Sequence, residues 1–258
     1  MELSSYLQFA SDLAYRAGRI TLGYFNTGLR PDFKADDTPV TVADRAAEQF
    51  IRGEITRTFP THSIIGEEFG ENGAGDSFCW IIDPIDGTKS FMRGVPLYGV
   101  LLGLEIEGRV QVGAAYFPGT DEMLCAAQGL GCWWNGRLAR VSEQALDRGV
   151  VCYTTHKNFE KSNRKPAFQR IEATAYMMRG WSDAYGYLLV ATGRAEAMLD
   201  PIVAIWDCGP FPIIFQEAGG YFGSWDGREG HTFGEALACN ESVKNQLLSL
   251  IRGDGSNR

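Results

Sequence analysis

The segment from residue 80 to residue 91, WIIDPIDGTKSF, places carboxylates, a glycine and a hydroxyl directly after an apolar, strand-like run. Asp83 and Asp86 offer the hard oxygen ligands that Mg²⁺ prefers. Gly87 and Thr88 follow at once, and free backbone N–H groups and a hydroxyl at this point could hold a phosphate. The segment therefore predicts a site for a divalent cation and a phosphate. On its own it also fits a turn followed by a helix N-cap, two roles in which Asp is common.

Three further acids occur at comparable places in the chain. Glu67 and Glu68 follow the short apolar run Ile64-Ile65, and Asp207 lies directly before a predicted helix. If the fold gathers these acids with the two aspartates of segment 80–91, they repel one another unless cations neutralise them. Mg²⁺ suits such a cluster, because it takes oxygen ligands and keeps waters that a substrate phosphate can replace.

Asp44 lies at the start of another predicted helix, after Thr41. The residues alone favour a first-turn acid that interacts with the positive end of the helix dipole. The alternative interpretation is a carboxylate that orients an attacking water. The local sequence leaves both interpretations open.

The composition argues against several classes of partner. The chain has 258 residues, of which 45% are hydrophobic and 22% charged, which is typical of a globular protein with one large core. The net charge of −8 argues against a nucleic acid or an anionic membrane as the main partner. It is compatible with a small phosphorylated metabolite, because bound cations would reverse the local charge. We expect no membrane span, since no apolar run reaches about 18 residues, and no signal peptide.

The cysteines and histidines point away from disulfides and zinc. The six cysteines form no Cys-x-x-Cys pair, and the three histidines show no metal-binding spacing. Scattered cysteines in a chain of this length indicate reduced thiols, and therefore a cytoplasmic protein.

The hydrophobic pattern of the first sixty residues predicts two helices. Apolar residues recur at helical spacing over residues 4–25, with Ser4 or Ser5 as a cap, and over residues 43–58. The polar segment 31–39 between them predicts a short hairpin or a mobile loop.

The pattern then changes to strands. Short apolar runs separated by turn residues predict an antiparallel meander from residue 63 to residue 127, and strands and helices alternate after residue 140. We therefore predict an α+β half (residues 1–140) that packs directly on an α/β half (residues 141–258), the two forming one compact unit.

Five segments together resemble the motifs of one family. They are Thr41 to Asp44, Gly66-Glu67-Glu68, Asp83 to Thr88, Gly129 to Gly136, and Trp206-Asp207 followed by Glu217 to Gly220. In this order they resemble the inositol monophosphatase superfamily, whose members are metal-dependent, lithium-sensitive phosphatases. The resemblance implies the layered αβαβα sandwich of that family, an α+β / α/β fold, and it suggests a homodimer.

The same resemblance implies a set of metal ligands. Glu67, Asp83 and the Ile85 carbonyl would hold one Mg²⁺. Asp83, Asp86 and Asp207 would hold a second. Glu67 would help to hold a weaker third ion, so the resemblance implies two or three Mg²⁺ per site.

It also implies roles in catalysis and phosphate binding. Asp44 and Thr88 would orient the attacking water and help to deprotonate it, and Glu67 is a further candidate catalytic residue. The amides of Gly87 and Thr88 would hold phosphate oxygens. Phosphate monoesters are among the slowest compounds to hydrolyse uncatalysed, and metals can hold the water, the phosphoryl group and the leaving oxygen together.

Residues after the central motif favour one branch of the superfamily. Inositol phosphatases usually continue with Thr-Asn, whereas this chain has Lys89-Ser90-Phe91, which resembles the histidinol-phosphate phosphatases of histidine biosynthesis. The segment Arg179 to Tyr185 resembles the same branch. The branch that acts on 3′-phosphoadenosine 5′-phosphate also has Lys at this place and is the main alternative, with inositol 1-phosphate the other.

Four residues are candidate contacts to the organic part of the substrate: Asp183, Asp200, Trp181 and Arg179. Histidinol phosphate carries an ammonium and an imidazole, with which Asp183 and Asp200 could pair while Trp181 packs on the ring. A bisphosphorylated nucleotide would require more basic residues than this segment contains. Trp181 and the neighbouring tyrosines could equally be helix core.

Two further points qualify the resemblance. After Trp206-Asp207 the family usually has small residues, whereas this chain has Cys208 to Pro212, with two prolines that suit a first helical turn. The alternative to an enzyme is an inactive protein that binds phosphorylated ligands. Such a protein would be expected to lack one of the acids, and all of them are present.

Overall fold

The computed structural model describes residues 2–28, 30–33, 39–73, 77–181 and 183–254. The helices within these ranges are α1 (Leu3–Tyr24), α2 (Val42–Thr58), α3 (Thr88–Met92), α4 (His156–Lys161), α5 (Lys165–Glu172), α6 (Ala184–Ala191), α7 (Ile205–Cys208), α8 (Phe211–Ala218) and α9 (Glu241–Arg252). None of the described helices is long and apolar enough to cross a membrane.

The strands form one small and two large sheets within the described ranges. They are β1 (Asp32–Phe33), β2 (Pro39–Val40), β3 (Ser63–Gly66), β4 (Gly70–Asn72), β5 (Phe78–Asp86), β6 (Gly99–Ile106), β7 (Arg109–Phe117), β8 (Glu122–Ala127), β9 (Cys132–Trp134), β10 (Arg137–Leu138), β11 (Val150–Tyr153), β12 (Met177–Arg179), β13 (Ala197–Asp200), β14 (Gly220–Gly223) and β15 (Ala236–Asn240). The first large sheet has the order β10-β9-β8-β7-β6-β5-β3-β4, and the second has the order β12-β11-β13-β15-β14.

Five layers of secondary structure pack around three hydrophobic clusters, one of which surrounds the middle layer of helices. On one face of the first sheet, side chains of α1 and α2 such as Leu13 and Ile51 pack against Trp80 and Leu102. The opposite face of that sheet and one face of the second sheet share a core with α6 and α8. The outer face of the second sheet is covered by α5 and α9. The predicted αβαβα sandwich is therefore confirmed.

The first sheet is antiparallel along β5 to β10, which is the predicted meander. The parallel pairs are β3 with β5 and β11 with β12 and β13. The chain passes from the first sheet to the second between Leu138 and Val150. The division into halves at residue 140 stays a prediction.

Two local predictions differ from the structure. The first helix begins after Glu2, whose backbone is extended, so Ser4 and Ser5 lie inside the first turn and the predicted serine cap is wrong. In the predicted hairpin, Asp32 pairs with Val40 and Phe33 with Pro39, while residues 34–38 lie outside the described ranges.

Candidate active site

A β-bulge in β5 brings the two aspartates of the central motif to the same side of the sheet. We predicted a strand that ends at Ile82, but β5 continues through the motif to Asp86. Asp83 pairs with Leu101 of β6, and Asp86 pairs with Gly99 of the same strand. Three residue positions along β5 therefore lie opposite two along β6, which defines the bulge. In a regular strand, residues three positions apart point to opposite faces of the sheet. The extra residue of the bulge shifts this alternation, so Asp83 and Asp86 point to the same face. Pro84 suits the bulge because it has no N–H to donate.

The third acid of the cluster comes from the second half of the chain. Asp207 lies on α7, and its Oδ2 accepts a hydrogen bond of 2.8 Å from the backbone N–H of Ala204. One carboxylate oxygen from each of Asp83, Asp86 and Asp207 lies within 4.8 Å of the other two. Oxygen atoms at this spacing fit a divalent cation between them.

Close backbone packing holds α7 against the first sheet. A Cβ on Gly103 of β6 would collide with the carbonyl of Gly209, and a Cβ on Gly209 would approach Ile81 to 3.0 Å. The unusual prolines are accommodated as predicted, since Pro210 is the N-cap of α8 and Pro212 lies in its first turn. This packing places Asp207 beside the end of β5.

The electrostatics of the cluster also fit a cation. Burial raises the pKa of Asp83 and Asp86 well above the usual range, and neighbouring carboxylates raise it further. Burial raises the pKa of Asp207 to about 7, although hydrogen bonds from Ala204 and with Asp83 act in the opposite direction. Buried carboxylates disfavour ionisation unless a positive charge compensates them, and a divalent cation supplies it.

Glu67 lines the same cavity, and a buried ion pair fixes the loop that carries it. The carboxylate of Glu48 accepts backbone hydrogen bonds from Glu68 at 2.7 Å and Phe69 at 3.3 Å. Its fully buried side chain also accepts a 2.7 Å bond from Nε of Arg52. A Cβ on Gly66 would collide with this pair, so the glycine of the Gly-Glu-Glu motif makes room for it.

Sequence reasoning missed Glu48 and Arg52, although a signal was present. Asp44, Glu48 and Arg52 are spaced four residues apart on α2, so they share one helix face. A helix face with charges at three successive turns is unusual when its neighbours are buried alanines and isoleucines.

Asp44 combines the two roles that the sequence left open. It forms a capping box with Thr41, whose backbone N–H and hydroxyl donate to Asp44 Oδ2 at 2.8 Å and 2.5 Å. Its other oxygen accepts a bond of 3.3 Å from the hydroxyl of Thr88. Burial raises the pKa of the Asp44 carboxyl, the bonds from Thr41 lower it, and the charge of Glu67 raises it. The catalytic role of Asp44 stays a prediction.

Thr88 and Gly87 lie where β5 turns into α3. The hydroxyl of Thr88 also reaches the carbonyl of Ile85 at 3.0 Å, and the N–H of Ile85 donates to Asp83 Oδ1 at 3.0 Å. Gly87 has φ of +84°, a left-handed conformation that glycine adopts without strain. Both Gly87 and Thr88 line the cavity beside the acids.

The cavity has a volume of about 150 Å³ and draws residues from both halves of the chain. Its lining residues are Pro39, Glu67, Asp83, Ile85, Asp86, Gly87, Thr88, Lys89, Thr154, Asn158, Asp183, Asp200, Ile202 and Asp207. Two of the four predicted substrate contacts, Asp183 and Asp200, are among them. The other two, Arg179 and Trp181, lie outside the lining, where Arg179 bonds to the Met178 carbonyl, so their role stays a prediction.

Asp200 and Asp183 line the same cavity as the cluster of Asp83, Asp86 and Asp207. Asp200 ends β13, is buried, and accepts a 3.3 Å bond from the hydroxyl of Thr154. Burial raises the pKa of Asp200 well above its usual range, and the charges of Asp207 and Asp183 add to the effect. Asp183 is the N-cap of α6, and the next N–H, that of Ala184, donates to Asp86 Oδ1 at 2.6 Å.

Thr154 and Asn158 were missed as lining residues, and the second sheet explains why Thr154 belongs here. Strands β11 and β13 are parallel neighbours, with Tyr153 paired with Leu199. Their carboxyl ends therefore meet at one edge, which places Thr154 beside Asp200. A sequence argument could have found Thr154 only if it had assumed this parallel pair.

The two remaining motif segments, Gly129 to Gly136 and Glu217 to Gly220, contact each other. Both oxygens of Glu217 accept backbone hydrogen bonds of 2.8 Å, from Gly129 and from Gly131. None of these three residues is among the described residues that line the cavity. Their role is structural, because they join α8 to the turn between β8 and β9.

Comparison with known proteins agrees with this architecture. The model of the inositol monophosphatase family matches residues 2–253. A histidinol-phosphatase from Chlorobaculum parvum is 43% identical over 253 residues, covering 96% of this chain and 97% of that protein. One from Mycobacterium tuberculosis is 34% identical over 252 residues, covering 95% and 97%. The structure of the inositol monophosphatase from Anabaena sp. PCC 7120 is 30% identical, with a TM-score of 0.86 and coverage of 98% and 97%.

A five-layer sandwich with a buried acidic cluster beside a small polar cavity is the architecture of a class of phosphatases. With matches that span nearly its whole length, this chain belongs to the inositol monophosphatase family, and it is a phosphatase.

Proposed function

We propose that this protein is an Mg²⁺-dependent phosphomonoesterase that hydrolyses L-histidinol phosphate to L-histidinol and phosphate, a step of histidine biosynthesis. The observation that carries the proposal is the pair Asp183 and Asp200, which line the same cavity as Asp83, Asp86 and Asp207. Asp183 and Asp200 are therefore acids of the cavity that do not belong to the cluster of the other three aspartates. Their carboxylates suit the cationic groups of an amino alcohol phosphate.

The family resemblance suggests which residues would hold Mg²⁺, and the cluster of Asp83, Asp86 and Asp207 supports it. Glu67, Asp83 and the Ile85 carbonyl would hold one ion, and Asp83, Asp86 and Asp207 a second, with Glu67 helping to hold a weaker third. Bound Mg²⁺ would activate the attacking water and neutralise charge on the phosphoryl group and the leaving oxygen. Carboxylates that are buried together with raised pKa values support this assignment.

Asp44 and Thr88 would handle the proton of the attacking water. The Thr88 hydroxyl lies between Asp44 Oδ1 and the Ile85 carbonyl, so it can accept from water while it donates to Asp44. A raised pKa makes the Asp44 carboxylate a better proton acceptor. The water oxygen would bond to phosphorus as the ester P–O bond breaks, and the water proton would pass towards Asp44. The departing alkoxide would take a proton from solvent water to become the alcohol.

The backbone at the start of α3 would hold the phosphate. The left-handed conformation of Gly87 turns the chain so that the next amides begin a helix, whose first N–H groups have no partner within the helix. We assign the amides of Gly87 and Thr88 to phosphate oxygens. Lys89, which also lines the cavity, adds positive charge on the same side.

The organic part of the substrate would lie between Asp183 and Asp200. Inositol 1-phosphate has no cation for either carboxylate. 3′-Phosphoadenosine 5′-phosphate has a second phosphate, whereas Lys89 is the one basic side chain among the described lining residues. In this proposal Arg179 and Trp181 contact the imidazole end from outside the cavity, where Trp181 is 38% exposed.

Three broader properties belong to the same proposal. We expect a homodimer and sensitivity to lithium, as the family resemblance suggests, and a cytoplasmic location, which the six free cysteines favour. Light scattering of the purified protein and inhibition by LiCl test the first two.

The experiment that tests the substrate is a panel of phosphate-release assays with Mg²⁺. The substrates are histidinol phosphate, inositol 1-phosphate and 3′-phosphoadenosine 5′-phosphate at matched concentrations. We expect kcat/KM to be highest for histidinol phosphate. A preference for either of the other two would overturn the choice of substrate, and no turnover of any would favour the inactive binding protein.

A further inference from the structure

A buried carboxylate, Glu122, joins the first sheet to helix α6. It begins β8 and is only 7% exposed. Its Oε1 accepts hydrogen bonds from Nε1 of Trp134 at 3.1 Å and from Nη2 of Arg194 at 2.8 Å. Its Oε2 accepts a bond of 2.8 Å from the hydroxyl of Tyr185. Donors from β9, from α6 and from the turn after α6 therefore meet on one side chain.

The two oxygens of Glu122 serve different parts of the molecule. The Trp134 and Arg194 donors also contact each other, with the guanidinium of Arg194 4.5 Å from the centre of the Trp134 ring. Oε2 has the Tyr185 hydroxyl, and Tyr185 lies in the first turn of α6. Its ring packs edge to face on Phe117 of β7 at 5.4 Å.

The first turn of α6 is thus anchored at two successive residues. Ala184 donates its backbone N–H to Asp86, and Tyr185 donates its hydroxyl to Glu122. Asp183 is the N-cap directly before these residues and lines the cavity. These two bonds restrict how far the first turn of α6 can shift or rotate, and they restrict its N-cap residue, Asp183, in the same way.

The two anchors differ in what they depend on. The Ala184 bond uses an oxygen of Asp86, a residue that a metal would also use. The Tyr185 bond ends on Glu122, which is not among the described residues that line the cavity, so it is independent of a metal.

We propose that Glu122, acting through Tyr185, is a positioning residue that holds Asp183 where it meets the cationic group of the substrate. This role rests on the proposed function. It concerns binding of the organic part, since Glu122 and Tyr185 are not among the described residues that line the cavity.

The chain offers a matched control. Tyr185→Phe and Trp134→Phe each remove one hydrogen bond to Glu122, but only Tyr185 belongs to α6. A merely structural role predicts the same outcome for both variants. A positioning role predicts that KM for histidinol phosphate changes in Tyr185→Phe and stays constant in Trp134→Phe.

The test measures kcat and KM with Mg²⁺ for histidinol phosphate and for p-nitrophenyl phosphate, which has no cation, and the melting temperature of each variant. In Tyr185→Phe we expect KM for histidinol phosphate to rise about fivefold, the effect of one hydrogen bond, with kcat changed less than about twofold. We expect KM for p-nitrophenyl phosphate to stay constant. In Trp134→Phe we expect both KM values to stay constant.

The outcomes separate this inference from the proposed function. If the wild type turns over histidinol phosphate but KM for it is equal in both variants, the role of Glu122 is wrong and the proposed function stands. An equal rise in KM for both substrates would lead to the same conclusion. Absence of wild-type turnover of histidinol phosphate would remove the proposed function and this inference with it. If Tyr185→Phe does not fold, Glu122→Gln takes its place, with the same selective rise in KM expected.

Discussion

Two groups of aspartates line the cavity, and the proposed function gives them different roles. We call Asp83, Asp86 and Asp207 the metal side, and Asp183 and Asp200 the substrate side. On one side, Asp83, Asp86 and Asp207 place oxygens within 4.8 Å of one another, as a cation between them requires. On the other side, Asp183 and Asp200 lie at the start of α6 and the end of β13. Aspartates on the metal side are close enough to share an ion, whereas we propose that those on the substrate side meet the organic part of the ester. In this proposal, the spacing of the carboxylates and not the residue type distinguishes a metal site from a site for an organic cation.

The two sides also differ in what holds them. The metal side depends on backbone geometry, through the bulge between Asp83 and Asp86 and the backbone N–H of Ala204 that holds Asp207. The substrate side depends on side-chain contacts from distant segments, through Thr154 for Asp200 and through Glu122 and Tyr185 for α6. We therefore expect changes on the metal side to abolish turnover and changes on the substrate side to alter selectivity.

The largest effect is expected from Asp86→Asn on the metal side. The loss of one ligand oxygen should lower kcat/KM at least about a thousandfold for every phosphate ester, because it removes several kcal/mol of stabilisation of the transition state. The melting temperature without metal should not fall, since the amide removes a buried charge and can still accept from Ala184. Phosphate release and thermal melts check this, and full activity of the variant would contradict the metal assignment.

On the substrate side, Asp183→Asn should separate the substrates. We expect kcat/KM for histidinol phosphate to fall about ten- to a hundredfold, as for the loss of a hydrogen bond to a charged group. Turnover of p-nitrophenyl phosphate should remain within about twofold of wild type, since that ester has no cation to pair with the carboxylate.

The control is Asp86→Asn, which should affect both esters equally. If Asp183→Asn lowers both activities by the same factor, the distinction between the two sides of the cavity is wrong.

A smaller effect on the metal side is expected from Glu48→Gln. The amide keeps the size of the side chain but weakens its bonds to Arg52 and to the backbone of Glu68 and Phe69, so the Glu67 loop becomes less fixed. We expect affinity for Mg²⁺ to fall about tenfold, as for groups that orient metal ligands elsewhere. Titration calorimetry measures this. Glu54→Gln, on the same helix but paired with Arg16 and Arg57, should leave Mg²⁺ affinity unchanged.

The smallest expected effect is the dependence of stability on pH. The fold raises the pKa of Asp207 to about 7, so between about pH 4 and pH 7 the folded state keeps a proton that the unfolded state has released. The stability contributed by that proton is fully present below about pH 4 and is lost as the pH rises through about 7. Mg²⁺ binds the ionised acids, so it should raise Tm more at about pH 8 than at about pH 5.5.

Thermal melts with EDTA and with MgCl₂ at both pH values test this last expectation. Asp207→Asn should flatten the dependence on pH. If Mg²⁺ raises Tm more at the lower pH, groups other than Asp207 determine how stabilisation by Mg²⁺ depends on pH.

Local sequence determined much of this protein. Apolar spacing over residues 43–58 predicted α2 to within one residue of its start, because burial of one helix face is visible in a single segment. The run Asp83 to Thr88 predicted a metal and phosphate site, because the oxygen donors, the glycine and the hydroxyl are neighbours in the chain.

Only the tertiary structure decided which distant residues complete the site. The bulge depends on pairing with β6, Thr154 joins Asp200 through a parallel strand pair, and Glu122 meets Tyr185 across 63 positions. Such contacts have no sequence period, since they arise where layers pack against each other. The sequence therefore determined the chemistry available, and the packing of its five layers decided where each carboxylate lies and which partner it can hold.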